Sequence, residues 1–291
     1  MRENEGLYPI GVVERDTGIG RDTLRVWERR YGFPEPVRNE KGERTYSEAQ
    51  LRRLQRVRRL LDQGMRPGKL LPLSEDALDQ LEATLKPVQM DQLDQSVAEL
   101  LDVIDSVDPD TVKILMQDIF NHQGMEKFIL KTVVPLLAAV GERWAGGSLQ
   151  IYQEHFLSTQ LIQFLNSEIA KLQRVAKKPV VLLATLPSEE HTLGLLMVAA
   201  MLSSRGISVI NLGGEVPMDQ ICRAVEQFRA DIIGMTFSGA YQYSNIRGHL
   251  IELRDIIPDE VDIWAGGEGV RRLRKLPGGI TKFNSLEKLP L

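Results

Sequence analysis

Three residue types in one octapeptide bring together what a metal-ligating site needs. In Pro187-Ser188-Glu189-Glu190-His191-Thr192-Leu193-Gly194, an imidazole can ligate a metal through one ring nitrogen. A carboxylate two residues away holds the other nitrogen, fixing the tautomer and raising ligand basicity. Glu189 has that spacing and Glu190 competes for it. The apolar run Pro179 to Leu186 precedes the peptide and the apolar-periodic segment Leu195 to Leu202 follows it, so Glu189, His191 and Gly194 sit where a buried strand hands over to a helix. Ligands of open α/β sheets bind at such places. The same residues also suit an exposed loop whose Ser and Glu cap the next helix, so the neighbouring elements have to decide.

From Pro179 onward strands and helices alternate. Strands are expected at Val180 to Leu186, Ser208 to Leu212, Ile232 to Phe237, Asp262 to Ala265 and Ile280 to Phe283, giving a parallel five-stranded sheet. Their ends carry small or polar residues: Gly213-Gly214, Thr236 with Ser238-Gly239, and Gly266-Gly267. Such residues let a bulky ligand approach the backbone, and each pair also serves as a plain turn. Val88 to Val175 reads as four helices of bundle length, broken near Asp108-Pro109, His122-Gln123-Gly124 and Gly146-Gly147. Trp144 beside the glycine pair, with Glu154 and His155 one turn into the next helix, can line a pocket at the end of the bundle. A core Trp and a solvated Glu-His pair are the plainer alternative.

Over 291 residues the formal net charge is −4, with 43% hydrophobic and 26% charged residues. These figures fit a soluble protein of two or three domains. No run has the length of a membrane span and Met1 to Pro9 has no signal-peptide core, so a cytoplasmic location is expected. The single Cys222 excludes a disulfide framework or thiolate cluster. The charge is segregated: Met1 to Lys69 holds 16 Lys+Arg against 11 Asp+Glu, a net of +5, which leaves −9 for the remainder. A basic end on an acidic protein suggests a module for a polyanion.

That end has its own pattern. Tyr8 to Asp16 reads as a short helix, Thr17 to Gly20 as a tight turn, and Arg21 to Tyr31 as a second helix with Leu24 and Trp27 on its buried face. Arg21, Arg25 and Arg29 recur at spacings of four on that helix. Val37 to Tyr46 reads as a hairpin with Arg38 and Arg44 on its arms, and Ser47 opens a leucine-rich helix ending at Gly64. Helix, turn and Arg-lined helix make a helix-turn-helix, followed by a basic hairpin and a further helix. Leu70 to Pro87 is a connector with a short helix from Glu75 to Thr84.

Leu7 to Leu71 resembles the MerR family of transcriptional regulators. The carriers are Ile10-Gly11-Val12-Val13, Thr23-Leu24-Arg25-Val26-Trp27-Glu28-Arg29-Arg30-Tyr31-Gly32-Phe33 and Arg44-Thr45-Tyr46-Ser47. The resemblance implies double-stranded operator DNA as a partner, with Arg21, Arg25, Arg29, Arg38 and Arg44 at the contact surface. Trp27 and Tyr31 also suit the core. No long coiled-coil dimerisation helix is evident.

Glu189, His191 and Gly194 resemble the Glu/Asp-x-His-x-x-Gly signature of cobalamin-binding domains, and Ser238, Gly266 and Gly267 resemble the positions that accommodate the dimethylbenzimidazole tail. Ser238-Gly239-Ala240 stands where that family usually has Ser-x-Leu. Trp144 with Glu154 and His155 is similar to the cap over the upper cobalamin face in the CarH/LitR cobalamin photoreceptors. The implied arrangement has His191 on cobalt, adenosylcobalamin or methylcobalamin as cofactor, and a homo-oligomer, dimer or tetramer, whose assembly and repression respond to light. Ala145 departs from that pattern, since members carry a second histidine after the Trp. The expected architecture is multidomain α and α/β. A winged helix-turn-helix occupies residues 1–72 and a linker 73–87. A four-helix bundle cap follows at 88–176, and a doubly wound five-stranded parallel-sheet domain at 177–291. The competing readings are a corrinoid methyl carrier or methyltransferase component, and a cofactor- or redox-sensing regulator. Leu7 to Leu71 disfavours the first, because a methyl carrier has no use for such a module, and no enzyme activity is expected.

Overall fold

The computed structural model describes residues 6–62, 65–84, 94–106, 108–145, 148–173, 177–239, 241, 243–271 and 273–289. The chain divides into two compact units, Met1–Leu93 with Ala139–Gln150, and Asp94–Ala138 with Ile151–Leu291.

In the first unit, α1 (Ile10–Thr17) and α2 (Arg21–Tyr31) each stop at a glycine in the left-handed conformation. The N–H groups of Gly18 and Gly32 bond back to Glu14 O and Glu28 O. Val13, Leu24 and Trp27 are buried with Leu51, Leu54 and Val57 of α3 (Glu48–Asp62). Trp27 is therefore a core residue, while Tyr31 stays partly exposed beneath Arg30, 5.4 Å from its ring. The hairpin is β2 (Val37–Arg38) and β3 (Arg44–Ser47). The helix expected from Tyr8 starts later: Leu7–Pro9 is a strand, β1, paired antiparallel to β3 with Tyr8 opposite Tyr46. Three residues make a strand only because β3 offers a second edge, so order β1-β3-β2 arises from pairing rather than local pattern. Beyond α4 (Pro67–Leu70), α5 (Glu75–Thr84) is tied to α3 by Arg53 and Arg56, which reach Glu75 at 3.2 and 2.7 Å. The rest of the expected linker, from residue 85, lies outside the described residues, as does Gly64.

The second unit opens with α6 (Gln95–Ser106) and α7 (Pro109–Lys127). Asp108 caps α7 by accepting from Asp110 N, with Pro109 at the first helical position. Gly124, at φ 72° and ψ 168°, interrupts α7 where the sequence places a break. A π-helical turn, Phe128–Val133, then leads into α8 (Val134–Ala145), which belongs to the first unit from Ala139 on, and α9 (Ile151–Leu172) follows in the second. Phe120, Phe128 and Phe164 meet with ring centroids 5.4 to 5.8 Å apart in the bundle core.

The sheet comprises β4 (Lys177–Ala184), β5 (Ile207–Asn211), β6 (Ile232–Thr236), β7 (Asp262–Gly266) and β8 (Ile280–Lys282), all parallel, in the order β5-β4-β6-β7-β8. β4 to β7, of five to eight residues, are largely apolar because helices cover both faces of the sheet, and β8 has three residues. Leu182, Ala184, Ile233, Met235, Ile263 and Ala265 pack on α11 (Met218–Phe228) and α12 (Tyr243–Ile256). The opposite face carries α10 (Leu193–Ser204), which in turn packs against α9. The order of strands reverses between β4 and β6, so the crevice beyond their carboxyl ends is the topological switch point. Gln173, just past α9, lies along the free edge of β5. Its Nε2 donates to Ile207 O at 2.9 Å and Ser203 Oγ at 2.6 Å, and its Oε1 accepts from Val209 N at 3.0 Å.

At the other end of the strands Asp231 accepts from Val180 N at 2.7 Å and from Lys178 Nζ at 3.4 Å, joining the starts of β4 and β6. The backbone hydrogen bond, aided by Lys178, holds its carboxyl below the usual value. A carboxylate depressed in the folded state stabilises above its unfolded pKa, about 4, and loses that contribution as pH falls through the folded value. Asp231→Asn is expected to flatten the loss of stability between pH 5 and 3, as read by urea unfolding.

Candidate functional site

The β4–α10 loop fills the switch point and is held from three sides. Thr185, fully buried at the end of the β4 segment, donates its hydroxyl to Glu189 O at 2.5 Å and accepts from Glu215 N at 3.0 Å. Glu215 Oε1 accepts from Ser188 N at 3.3 Å, and both Ser188 (φ 71°) and Glu215 (φ 57°) adopt a left-handed backbone that non-glycine residues rarely take. Two such residues persist only where the surroundings over-determine them, as these bonds do.

Of the two acidic residues that suit His191, the structure selects Glu189. Glu190 is exposed, whereas the Glu189 side chain is 1% exposed and accepts from His191 Nδ1 at 2.8 Å and from its backbone N at 3.0 Å. Its second oxygen accepts from Ser238 N at 2.6 Å, and Ser238 Oγ lies 3.3 Å from the same Nδ1. Burial opposes the charge on Glu189, but the hydrogen bonds from His191 and Ser238 outweigh it and hold the carboxyl below its ordinary value. The hydrogen bond to Glu189 raises the His191 imidazole, against the effect of burial and with help from Glu190 and Glu154. With Nδ1 committed, Nε2 has no hydrogen bond among the described residues, and the ring is 58% exposed. This is a fixed tautomer offering one nitrogen to a ligand.

The glycines divide into two kinds. Gly267, at φ 94°, turns so tightly that an added Cβ would lie 2.3 Å from Phe237 O, so the fold itself demands it. Gly194 has no positive φ, and a Cβ there would meet only Thr236, at 4.0 Å. Nothing among the described residues requires glycine in the first turn of α10, where it lowers helix propensity by about 1 kcal/mol. The space above it is free for something else. Gly266 is intermediate, its added Cβ 3.5 Å from Phe283 O.

Thr236, read from the sequence only as a polar strand end, borders that space and has a buried hydroxyl with no hydrogen-bond partner among the described residues. An orphaned hydroxyl beneath an unneeded glycine fits a bound ligand with a hydrogen-bonding group. The sequence signal was a hydroxyl ending the apolar run Ile-Ile-Gly-Met. Ser238, by contrast, directs its polar atoms to Glu189 and His191. The turn that carries Ser238 is closed by Tyr241 N donating to Ser238 O at 3.3 Å, and the Tyr241 hydroxyl pairs with His249 Nδ1 at 2.7 Å. Burial, with a smaller contribution from Glu189, pushes the Tyr241 phenol up to about 12.

Glu154 lies in the first turn of α9, and its charge adds to the rise of the His191 imidazole. Its carboxylate accepts from Ser158 Oγ at 2.7 Å and pairs with His155 Nδ1 at 2.9 Å, while the His155 ring remains exposed. The side chains of Trp144 and Ala145, and residues Gly146, Gly147 and Ala240, lie outside the described residues.

On the first unit the five singled-out arginines lie on α2 and the β2–β3 hairpin. Arg21 pairs with Glu14 at 2.6 Å, Arg25 with Asp22 at 2.9 Å and Arg44 with Glu28 at 2.9 Å. Arg38 donates to Gly42 O at 2.6 Å across the hairpin turn. Arg29 is exposed and has no partner among the described residues.

Comparison with known proteins matches these parts separately. Residues 8–70 match the MerR HTH family regulatory protein model, residues 179–278 a B12 binding domain, and residues 96–166 a second B12 binding domain model. HTH-type transcriptional repressor CarH of Myxococcus xanthus is 29% identical over 272 residues, 92% of this chain and 91% of that one. HTH-type transcriptional repressor CarA of the same organism is 30% identical over 229 residues, 78% and 75% of the two chains. The monomethylamine corrinoid protein of Methanosarcina barkeri shares the fold at 14% identity, with a TM-score of 0.53 over 65% of this chain and 92% of that one. Among the described residues no helix is long and apolar enough to cross a membrane. With the DNA-binding module, the two B12 binding segments and most of the length of the CarA and CarH repressors in one chain, this protein belongs to the MerR-type transcriptional regulators that carry B12 binding domains.

Proposed function

We propose that the protein is a cobalamin-dependent repressor that occupies operator DNA as a homo-oligomer and responds to light through adenosylcobalamin. The observation that carries this reading is the Glu189–His191–Ser238 network at the switch point, with imidazole Nε2 facing outward, in a chain that also holds a MerR-type module. His191 would bind cobalt, Glu189 would fix its tautomer, Thr236 would donate its free hydroxyl to the lower part of the cofactor, and Gly194 would leave room for it. Gly266, Gly267 and Ser238 shape the remaining walls. Glu154 and His155, in the first turns of α9, would face the upper ligand. The domain limits follow as 1–72 for DNA, 73–87 as linker, 88–176 as cap and 177–291 as cofactor domain. When bound, adenosylcobalamin supplies a cobalt–carbon bond that light breaks.

The two Myxococcus xanthus relatives are named as repressors, which supports repression here. A dark-assembled oligomer holds more than one DNA-binding module on the operator, so its dispersal lowers affinity through lost avidity. Ala145 supports a second reading, a regulator that senses the cofactor without a stable second histidine ligand after light. Absorption spectra and size-exclusion profiles of protein loaded with adenosylcobalamin, in the dark and after green light, separate the two. A spectral change with altered assembly supports the light switch. Cofactor bound with assembly unchanged leaves the sensor, and no uptake at all sinks both.

Arg29 provides the simplest test of the DNA surface. If it contacts a phosphate, Arg29→Ala is expected to weaken binding to all duplexes alike and to reduce the slope of log K against log salt by about 0.9. An unchanged slope would take Arg29 off the contact surface.

A further inference from the structure

One ion pair in the first unit crosses from the Arg-lined helix to the wing. Glu28 projects from α2, and Arg44 of β3 donates Nε to Glu28 Oε2 at 2.9 Å and Nη2 to Oε1 at 3.5 Å. Both side chains remain about a third exposed, at 32% and 27%, so the guanidinium is accessible while clamped. Its Nη1 has no hydrogen bond among the described residues. Tyr46, two residues further along β3, is fully buried. The other acid-paired arginines of this face, Arg21 and Arg25, are bound to partners on α1 and on α2 itself. Glu28 alone among these acids ties the wing to α2.

A free arginine loses much rotamer freedom when it binds, and a carboxylate on its Nε edge removes that loss in advance while the end-on N–H groups stay available. Those groups match a phosphate or the O6/N7 edge of guanine bidentately. A carboxylate on a DNA-facing surface is otherwise a liability, because it repels every phosphate nearby. We propose that Glu28 is a positioning residue for DNA recognition: by clamping Arg44 it sets the wing against α2 and aims the guanidinium at one place on the operator, raising specific binding at the expense of non-specific binding. The proposal rests on the reading that α2 and the hairpin contact DNA.

The two effects of Glu28 have opposite signs, and that makes the proposal testable on the full-length chain. An operator is first selected by the wild-type protein from a random duplex library. Affinities for it and for a scrambled duplex of equal length and composition are then measured over a range of salt. Glu28→Gln is expected to weaken operator binding about tenfold, the scale of one misplaced bidentate contact. Binding to the scrambled duplex should hold or tighten, because a negative charge has gone. In an Arg44→Ala background Glu28→Gln should no longer change the operator-to-scrambled ratio. Arg44→Lys, which keeps the charge but loses the fork, should reproduce the fall in ratio without touching Glu28. Equal loss on both duplexes, or effects of the two substitutions that simply add, would reduce the pair to a structural brace and overturn the proposal. A wild-type chain that enriches no duplex overturns the DNA-contact reading itself, with this proposal included.

Discussion

His191→Ala is expected to lower cobalamin affinity about 100-fold or more and to remove the histidine-ligated spectrum from whatever cofactor remains. Loss of a group that merely orients a metal ligand already costs about 10- to 100-fold, and this substitution removes the ligand itself. It also strips Glu189 of the imidazole that helps offset its burial, leaving the backbone N–H groups of residues 191 and 238, one on each oxygen. Glu189→Gln provides the graded comparison. The amide oxygen can keep the hydrogen bond to the imidazole, but it no longer raises its basicity and the amide NH2 then faces the Ser238 N–H, so a loss of about tenfold or more with the histidine-ligated spectrum retained is expected. Equilibrium dialysis and absorption spectra read both variants. A His191→Ala protein with unchanged cobalt ligation would remove His191 as the lower ligand.

The second large effect belongs to Gly267, and Gly194 is its control. Alanine at 267 must hold φ near 94° and put Cβ 2.3 Å from Phe237 O, a backbone atom that cannot swing aside. Strain and overpacking together cost about 2–4 kcal/mol. The displaced segment leads into Ser238, so cofactor binding should fall along with stability. Alanine at 194 meets nothing nearer than Thr236 at 4.0 Å. It should leave stability unchanged or raise it by up to about 1 kcal/mol through helix propensity, while cobalamin uptake falls. Urea unfolding and cofactor titration on the two variants distinguish a glycine the fold needs from one reserved for a ligand. Equal uptake by Gly194→Ala and wild type would contradict that reservation.

The sequence made the sheet domain readable because β4, β6 and β7 are buried on both faces and appear as uninterrupted apolar runs, each ended by small or polar residues. The Gly124 break and the α5 span were readable for local reasons, a residue that leaves the helical conformation and a short amphipathic pattern. What escaped depends on distant partners. Leu7–Pro9 becomes a strand only beside β3, and nothing in three residues announces that. The competition between Glu189 and Glu190 is decided by which carboxylate faces Ser238 N, 49 residues further along the chain. Thr236 stood in view as a strand end, but its importance rests on a buried hydroxyl with no partner among the described residues, and that becomes visible only from the hydrogen bonds around it. The Glu28–Arg44 clamp joins a helix to a strand 16 residues away and leaves no periodic trace.

The Gln173 amide occupies the outer edge of β5 much as a neighbouring strand would, taking alternate backbone groups of Ile207 and Val209. Sheet edges left bare recruit strands from other molecules. The side chain that follows α9 thus covers backbone groups with which another strand would otherwise pair. Any loosening of α9 that withdraws Gln173 exposes a sticky edge. Solubility of the protein on storage would then depend on how firmly the end of α9 is held, and Gln173→Ala is expected to lower it.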